Sequence, residues 1–374
     1  MSQTFQSSTR LWFSGVVILL SCSARVAPGT SNNDSPLSGG LLTNDSGAAS
    51  AGGAVGAGGA ASSTHSTGAS TASAFAVHPL HVPRANLAAA STKDGTIYAI
   101  GGAEASWGCS ANSTSYAVER MDPSSGEWVI APNLLTPRCG PAAAASQAGS
   151  VFAFGGWDGS AAQTITEELA PGSNSWKASS PMKEARHSAA AALGHDGHIY
   201  VFGGFNTQPL SSGEVFDPAT GNWGAMPPMT MTRYGHAAAV DGNGLIYAVG
   251  GYTTPNSATE TVEIYDPSTQ SWSPGPRLPE PLYGLAAASS ADGHVYVVGG
   301  QWCCDNADQV LDVALELSAM GWTNLPQKLP FADFALAAAT SNEGRLFAFG
   351  GYFAGTLGTV AMYDPGSQAW QSAE

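Results

Sequence analysis

The sequence predicts an all-β fold, a six-bladed propeller with four antiparallel strands per blade, preceded by a disordered tether. Three observations carry this. Six apolar-aromatic-apolar runs each end in a glycine pair, a tight-turn signal precedes five of them, and a tryptophan follows each pair some 20 to 27 residues on. Self-similarity at a fixed period marks stacked supersecondary units. Four short strands in each unit match a propeller blade.

The amino terminus reads as a leader. Arg10 precedes an apolar run from Leu11 to Leu20, followed by Ser21-Cys22. The run is shorter than the roughly 20 residues of a helical membrane span but matches the apolar core of a signal peptide. Leu19-Leu20-Ser21-Cys22 resembles a bacterial lipobox, which implies that Cys22 becomes the lipidated first residue of the mature chain. A plain cleaved signal peptide with an incidental cysteine is the alternative. Residues 1–22 are therefore expected to be removed or processed on export, leaving the protein lipid-anchored in a bacterial cell envelope or secreted.

Residues 23–73 are dominated by Ser, Gly, Ala, Asn and Thr. Such a composition buries too little apolar area to offset chain entropy, so the segment reads as a flexible linker. A spacer of this kind suits a domain held off a membrane by a lipid. The folded domain is expected over residues 74–374.

Within it, the glycine pairs begin at Gly101, Gly155, Gly203, Gly250, Gly299 and Gly350, with spacings of 54, 48, 47, 49 and 51 residues. An alanine-rich run precedes each, as at Ala142 to Ala145 or Ala237 to Ala239. Asp94-Gly95, Asp196-Gly197, Asn243-Gly244, Asp292-Gly293 and Glu343-Gly344 join the two runs. Asp-Gly and Asn-Gly between apolar runs signal a tight hairpin, since both residues accept positive φ. Downstream come an Asp-Pro turn and a tryptophan: Asp122-Pro123 with Trp128, Asp217-Pro218 with Trp223, Asp266-Pro267 with Trp272, and Asp364-Pro365 with Trp370. The second unit keeps Pro171 and Trp176, and the fifth keeps Trp322.

Small alanines suit an innermost strand near an axis. Glycines suit a strand end where backbones approach closely. Indoles suit the wider outer gap between sheets. These residues, in this order, resemble the kelch-repeat family from about Phe75 to Glu374, and the resemblance implies a ring of blades. Ring closure is open at this level: Phe75-Ala76-Val77 and the strand around Trp370 both claim the outer edge of the last blade.

The loop after each glycine pair and the loop leading into each blade should share one face. That face gathers Trp107, Trp157, Asp158, Phe205, Tyr252, Trp302 and Tyr352 from the first kind of loop. Arg84, Arg138, Arg186, His187, Arg233, Tyr234 and His236, with Tyr283 and Asp333, come from the second. A rim of aromatics and arginines could stack on sugar rings and grip carboxylates. Against this, both residue types at these places are ordinary kelch features, and the arginines could pair with backbone carbonyls between blades.

Of the cysteines beyond Cys22, Cys109 and Cys139 fall in loops of adjacent blades on that face, where a disulfide suits an oxidising compartment. Cys303 and Cys304 are neighbours and read either as a vicinal disulfide or as two thiols. No second Cys or His pair has the spacing of a metal site, so no metal and no cofactor are expected.

The formal charge of −15 and the scarcity of lysine argue against nucleic acid as a partner. Two function classes remain. One is a binding module presenting its loop face to an extracellular or periplasmic glycan or protein, touching membrane only through the lipid. The other is an enzyme, as the resemblance to kelch proteins such as galactose oxidase and a sialic acid epimerase allows. An epimerase of that kind would draw on Arg138, Arg186, Arg233, Glu104, His187 and Asp333. The copper site of the oxidase and the iron motif of the plant specifier proteins are not matched. The binding module is the favoured reading.

Overall fold

The computed structural model describes residues 11–13, 16–18, 75–106, 108–253, 257–290, 292–302 and 309–373. Leu11–Phe13 and Val16–Ile18 pair as a short antiparallel ribbon. From Ala88 onward the chain forms six four-stranded antiparallel sheets, with neighbouring strands paired in each. The first comprises Ala88–Ser91, Ile97–Ile100, Val118–Met121 and Trp128–Ile130. The sixth comprises Ala337–Thr340, Leu346–Phe349, Val360–Asp364 and Ala369–Ala373. Each four-stranded sheet takes its strands in chain order from one blade, with a two-stranded ribbon inserted after the second strand in blades three, four and five, so the ring closes without exchanging a strand. Trp370 lies in the outer strand of blade six, and the Phe75 segment packs beside the seam.

Six apolar clusters each draw on two adjacent blades. Between blades one and two, for example, Ile100 and Val118 meet Val151, Ala153 and Trp176. Between blades six and one, Phe347, Phe349 and Met362 meet Ile97, Met121 and Trp128. The core is thus a set of interleaved slabs, and no blade buries its faces alone.

The glycine pairs explain how the slabs meet. Both glycines of each pair have positive φ, between 57° and 109°. A β-carbon on Gly101, Gly203, Gly250 or Gly350 would lie 2.7 Å from the carbonyl oxygen of Arg138, Arg233, Leu282 or Arg84 respectively. Only glycine allows that approach. It lets the second glycine of each blade donate its N–H to the same carbonyl of the next: Gly102 to Arg138, Gly156 to Arg186, Gly204 to Arg233, Gly251 to Leu282, Gly300 to Asp333 and Gly351 to Arg84. These six bonds of 2.7–2.9 Å run right round the ring.

A second circle lies closer to the axis. Gly140 donates to Asn86, Ser188 to Gly140, Gly235 to Ser188, Gly284 to Gly235, Ala335 to Gly284 and Asn86 to Ala335, at 2.7–2.9 Å. All six residues have positive φ, including Asn86, Ser188 and Ala335, which carry side chains. The circle satisfies backbone groups that the crowded hub would otherwise leave bare. It borders an axial cavity of about 90 Å³, lined by two consecutive residues from each blade.

Outer strands are fastened by the tryptophans. Trp176, Trp223, Trp272 and Trp322 donate Nε1–H, at 2.8 Å, to carbonyls in the loop leading into their own blade, at Pro132, Ser180, Pro227 and Pro276. Trp370 reaches Gln327 at 3.2 Å. Blade one differs. Trp128 is buried against Phe349 with its Nε1 unpartnered among the described residues.

Candidate functional site

The inter-blade loops and the glycine loops do share a face, because short bridges tie them together: Cys139 to Trp157, His187 to Phe205, Tyr234 to Tyr252, Tyr283 to Gln301 and Phe334 to Tyr352. The opposite face carries the tight turns, where His198 and His294 lie beside Asp196 and Glu316.

The four loop arginines do not form the rim that the residue pattern suggests. Arg84, Arg138, Arg186 and Arg233 are 0–1 % exposed. Each sends Nη1 to the carbonyl of the first glycine in its own blade, at 3.0 Å for Gly101 and Gly155, 2.7 Å for Gly203 and 2.8 Å for Gly250. Each also meets a glutamate on the third strand. Arg84 bonds Glu119 at 2.9 Å, Arg233 bonds Glu263 at 2.7 Å, and Arg138 bonds Glu167. Arg186 lies 3.6 Å from Glu214 and bonds Glu184 at 3.1 Å.

The glutamates accept loop amides as well: Leu135 and Thr136 on Glu167, Lys183 and Glu184 on Glu214, Thr230 and Met231 on Glu263. Burial lowers the guanidinium pKa values and the glutamates counter it. These arginines are pins that hold a loop to its blade, since a buried charge persists only when paired. The third-strand glutamates escape notice in the sequence because their neighbours differ, as in Thr-Glu-Glu, Gly-Glu and Val-Glu, and because Glu119 follows its glycine pair at a longer distance than Glu167, Glu214 and Glu263 follow theirs.

Blades five and six depart from the pattern. Leu282 replaces the arginine in blade five, and Leu315 stands where blade four has Glu263. Asp333 replaces it in blade six, with Ala361 opposite. Asp333 is fully buried. Its Oδ1 accepts the Tyr352 amide at 2.7 Å, while Oδ2 has no partner among the described residues. Burial raises its pKa well above the ordinary carboxylate value, against the pull of the Tyr352 and Phe334 amides.

The aromatics, by contrast, converge. Rings run edge to face around the channel mouth in one chain. Trp157 meets His187 at 5.5 Å, His187 meets Phe205 at 5.5 Å, and Phe205 meets Tyr234 at 5.2 Å. Tyr234 meets Tyr252 at 5.5 Å, Tyr252 meets Tyr283 at 5.0 Å, and Tyr283 meets Phe334 at 6.4 Å. Phe334 meets Tyr352 at 5.8 Å. Such tilted and T-shaped pairs are the favoured ring geometries.

Trp157, Phe205, Tyr234, Tyr252, Tyr283 and Tyr352 are half-buried, so the arc offers ring surface to solvent. His187 is buried within it, and burial pushes its pKa down to about 4, leaving it neutral near pH 7. Among the described residues the arc opens over blade one, where Ala85 and Ala103 take the bridging places.

At the edge of that gap Cys109 and Cys139 form a disulfide across the two loops, with Cα atoms 5.5 Å apart. Asp158 follows Trp157 and caps its own loop, accepting from Ser160 and Ala161 and, through Oδ2, from Gln163 at 2.8 Å. Trp302 is half-buried in a ribbon with Gln309, outside the arc's sequence of ring contacts. Cys22, Trp107, Cys303 and Cys304 lie outside the described residues. No group of metal-ligating side chains occurs among the described residues.

A Kelch motif family model matches residues 84–135, 186–230 and 232–279, the spans of blade one and of blades three and four. With the six radial sheets, this decides the family. The chain is a kelch-repeat β-propeller.

The kelch propeller is similar in fold to a solved structure, that of YjhT, with a TM-score of 0.67 and 16% identity, covering 80% of this chain and 99% of that one. At that identity the likeness speaks for the fold. No curated protein matches the chain in sequence. The loop face of this kelch propeller carries paired arginines underneath and an arc of rings on top.

Proposed function

We propose that this kelch propeller is an exported binding module, held through Cys22 and the linker at a bacterial envelope, that engages a glycan over the aromatic arc of its loop face. The arc carries the reading. Six partly exposed rings on a rigid hub offer flat apolar surface at spacings on the scale of a sugar unit, with little ordering cost on binding. The direction of the chain supports display. Phe75 packs against Phe347 and beside Gly126, a turn-face residue, so the first described residue of the propeller lies on the side opposite the arc.

A glycan array probed with the purified protein tests this. Retention of defined glycans, lost in Tyr252→Ala and Trp157→Ala variants that melt like the parent, is the expected result. Retention that survives both substitutions would move the site off the arc.

A second reading, an enzyme acting on a sugar, draws on one observation: the buried, unpaired carboxyl of Asp333 behind Phe334 and Tyr352. A carboxyl whose pKa is raised by burial suits general acid work. Turnover of a sugar by the parent protein, abolished in Asp333→Asn, would replace the binding reading.

A further inference from the structure

The binding reading leaves the charge of the ligand open, and the loop face addresses it. We propose that the arc selects a glycan bearing free, protonated amino groups over its N-acetylated or acidic counterparts.

The argument starts from which charges remain once the pins are set aside. Arg84, Arg138, Arg186 and Arg233 are buried on glutamates and offer no donor to an incoming carboxylate. Of the other cations in loops of this face, Arg277 is bonded to Glu260, and Lys328 to Asp312 at 2.7 Å. Lys183 is exposed, ahead of Arg186. On the arc itself the charges are negative. Glu104 follows Ala103 in the gap, exposed, with the Ser115 hydroxyl donating to it. Asp158 follows Trp157 on the other side, and the amides of Ala161 and Ser160 outweigh partial burial to keep its pKa below the ordinary value.

Aromatic faces attract ammonium groups within about 6 Å of the ring, and carboxylates beside them add to that pull. A carboxylate-bearing ligand would meet the same rings and the same acids, with the four loop arginines buried on glutamates and Arg277 already paired to Glu260. The overall charge of −15 extends the bias beyond contact distance.

The full-length protein can be challenged with glucosamine oligomers, N-acetylglucosamine oligomers and uronate oligomers at low and high ionic strength, with tetramethylammonium as a sugar-free cation read by NMR shifts of the arc tyrosines. The expected result is about five- to thirtyfold tighter binding of the amino oligomer than of its acetylated form, shrinking at high salt. Glu104→Gln should narrow that ratio by weakening binding of the amino oligomer more than that of the acetylated one. Equal binding of both oligomers, or preference for the uronate, would overturn the inference and leave the glycan reading standing. Tetramethylammonium shifts with no oligomer bound would support the cation site and sink the glycan reading. Silence from every probe would sink both.

Discussion

Leu282 and Leu315 share one apolar cluster in blade five, at the two positions where blade four pins Arg233 to Glu263. One chain therefore carries both solutions to the same structural problem. The equivalence is fixed by the backbone, since the Gly251 amide bonds the Leu282 carbonyl as the Gly204 amide bonds that of Arg233. Buried ion pairs are often replaceable by apolar residues of similar volume, whereas removing one partner strands a charge. Glu263→Leu alone should cost about 3–5 kcal/mol, and Arg233→Leu a similar amount. The double variant should recover much of that loss, giving a coupling well above about 1 kcal/mol in chemical denaturation. Additive losses would show that the pair is not the pin it looks to be.

Asp333 makes stability depend on pH in one direction. Its folded pKa is raised, so its contribution is intact below the unfolded value near 4 and is lost as pH rises from there toward the folded value. Asp333→Asn should match the parent near pH 3.5 and exceed it at pH 7 by about 1–3 kcal/mol, the scale of an unsatisfied buried group. Thermal melts across that range would show the two curves diverging with pH. Parallel curves would refute the assignment.

His236 should act in the opposite sense. Both ring nitrogens are unpartnered among the described residues, and burial, with Arg233 and Arg186 nearby, holds its pKa well below the ordinary value. The folded state resists a proton that the unfolded state accepts, so stability falls as pH drops below about 6.5. Leu87, Leu285 and Leu336 occupy the same place in other blades. His236→Leu should therefore melt higher than the parent, with the gap widening between pH 6.5 and pH 5. A gap that stays constant would locate the effect in packing alone.

The tryptophans can be compared with one another. Trp176→Phe forfeits a bond to Pro132, while Trp128→Phe forfeits none. Replacing Trp176 should cost more than replacing Trp128 by about 1 kcal/mol. Equal losses would mean that the indole bond adds nothing beyond ring burial.

The disulfide closes a segment of 30 residues between Cys109 and Cys139. Chain entropy puts its contribution at about 3–4 kcal/mol. Reduction should lower the melting temperature, as should Cys109→Ser with Cys139→Ser. Melting that is indifferent to reductant would contradict a bond formed in the native protein.

The blade plan could be read from the residues because its causes are local. Glycine pairs, Asn-Gly and Asp-Gly turns and the tryptophans each obey a short-range rule, and they recur six times or nearly so. The site was less legible. Arginine at the end of a loop looks the same whether it turns outward or inward, and only the third-strand glutamates, some 30 residues away, decide. Phe334 and Tyr283 gain meaning only when Phe334 meets Tyr352 and Tyr283 meets Tyr252, contacts that depend on how blades are set about the axis. The closure question turned on which segment pairs with Val360–Asp364, and long-range strand pairing leaves no local mark.

The seam has a mechanical consequence. The chain enters the propeller between blades six and one, wedged by Phe75 under the Arg345 guanidinium at 4.8 Å and fastened through the Leu80 amide to Gly358. A load drawn on the leash would therefore peel at the joint whose indole already lacks its bond, and not spread evenly over the other five. Anchored from this end, the hoop would give way first where it was joined last.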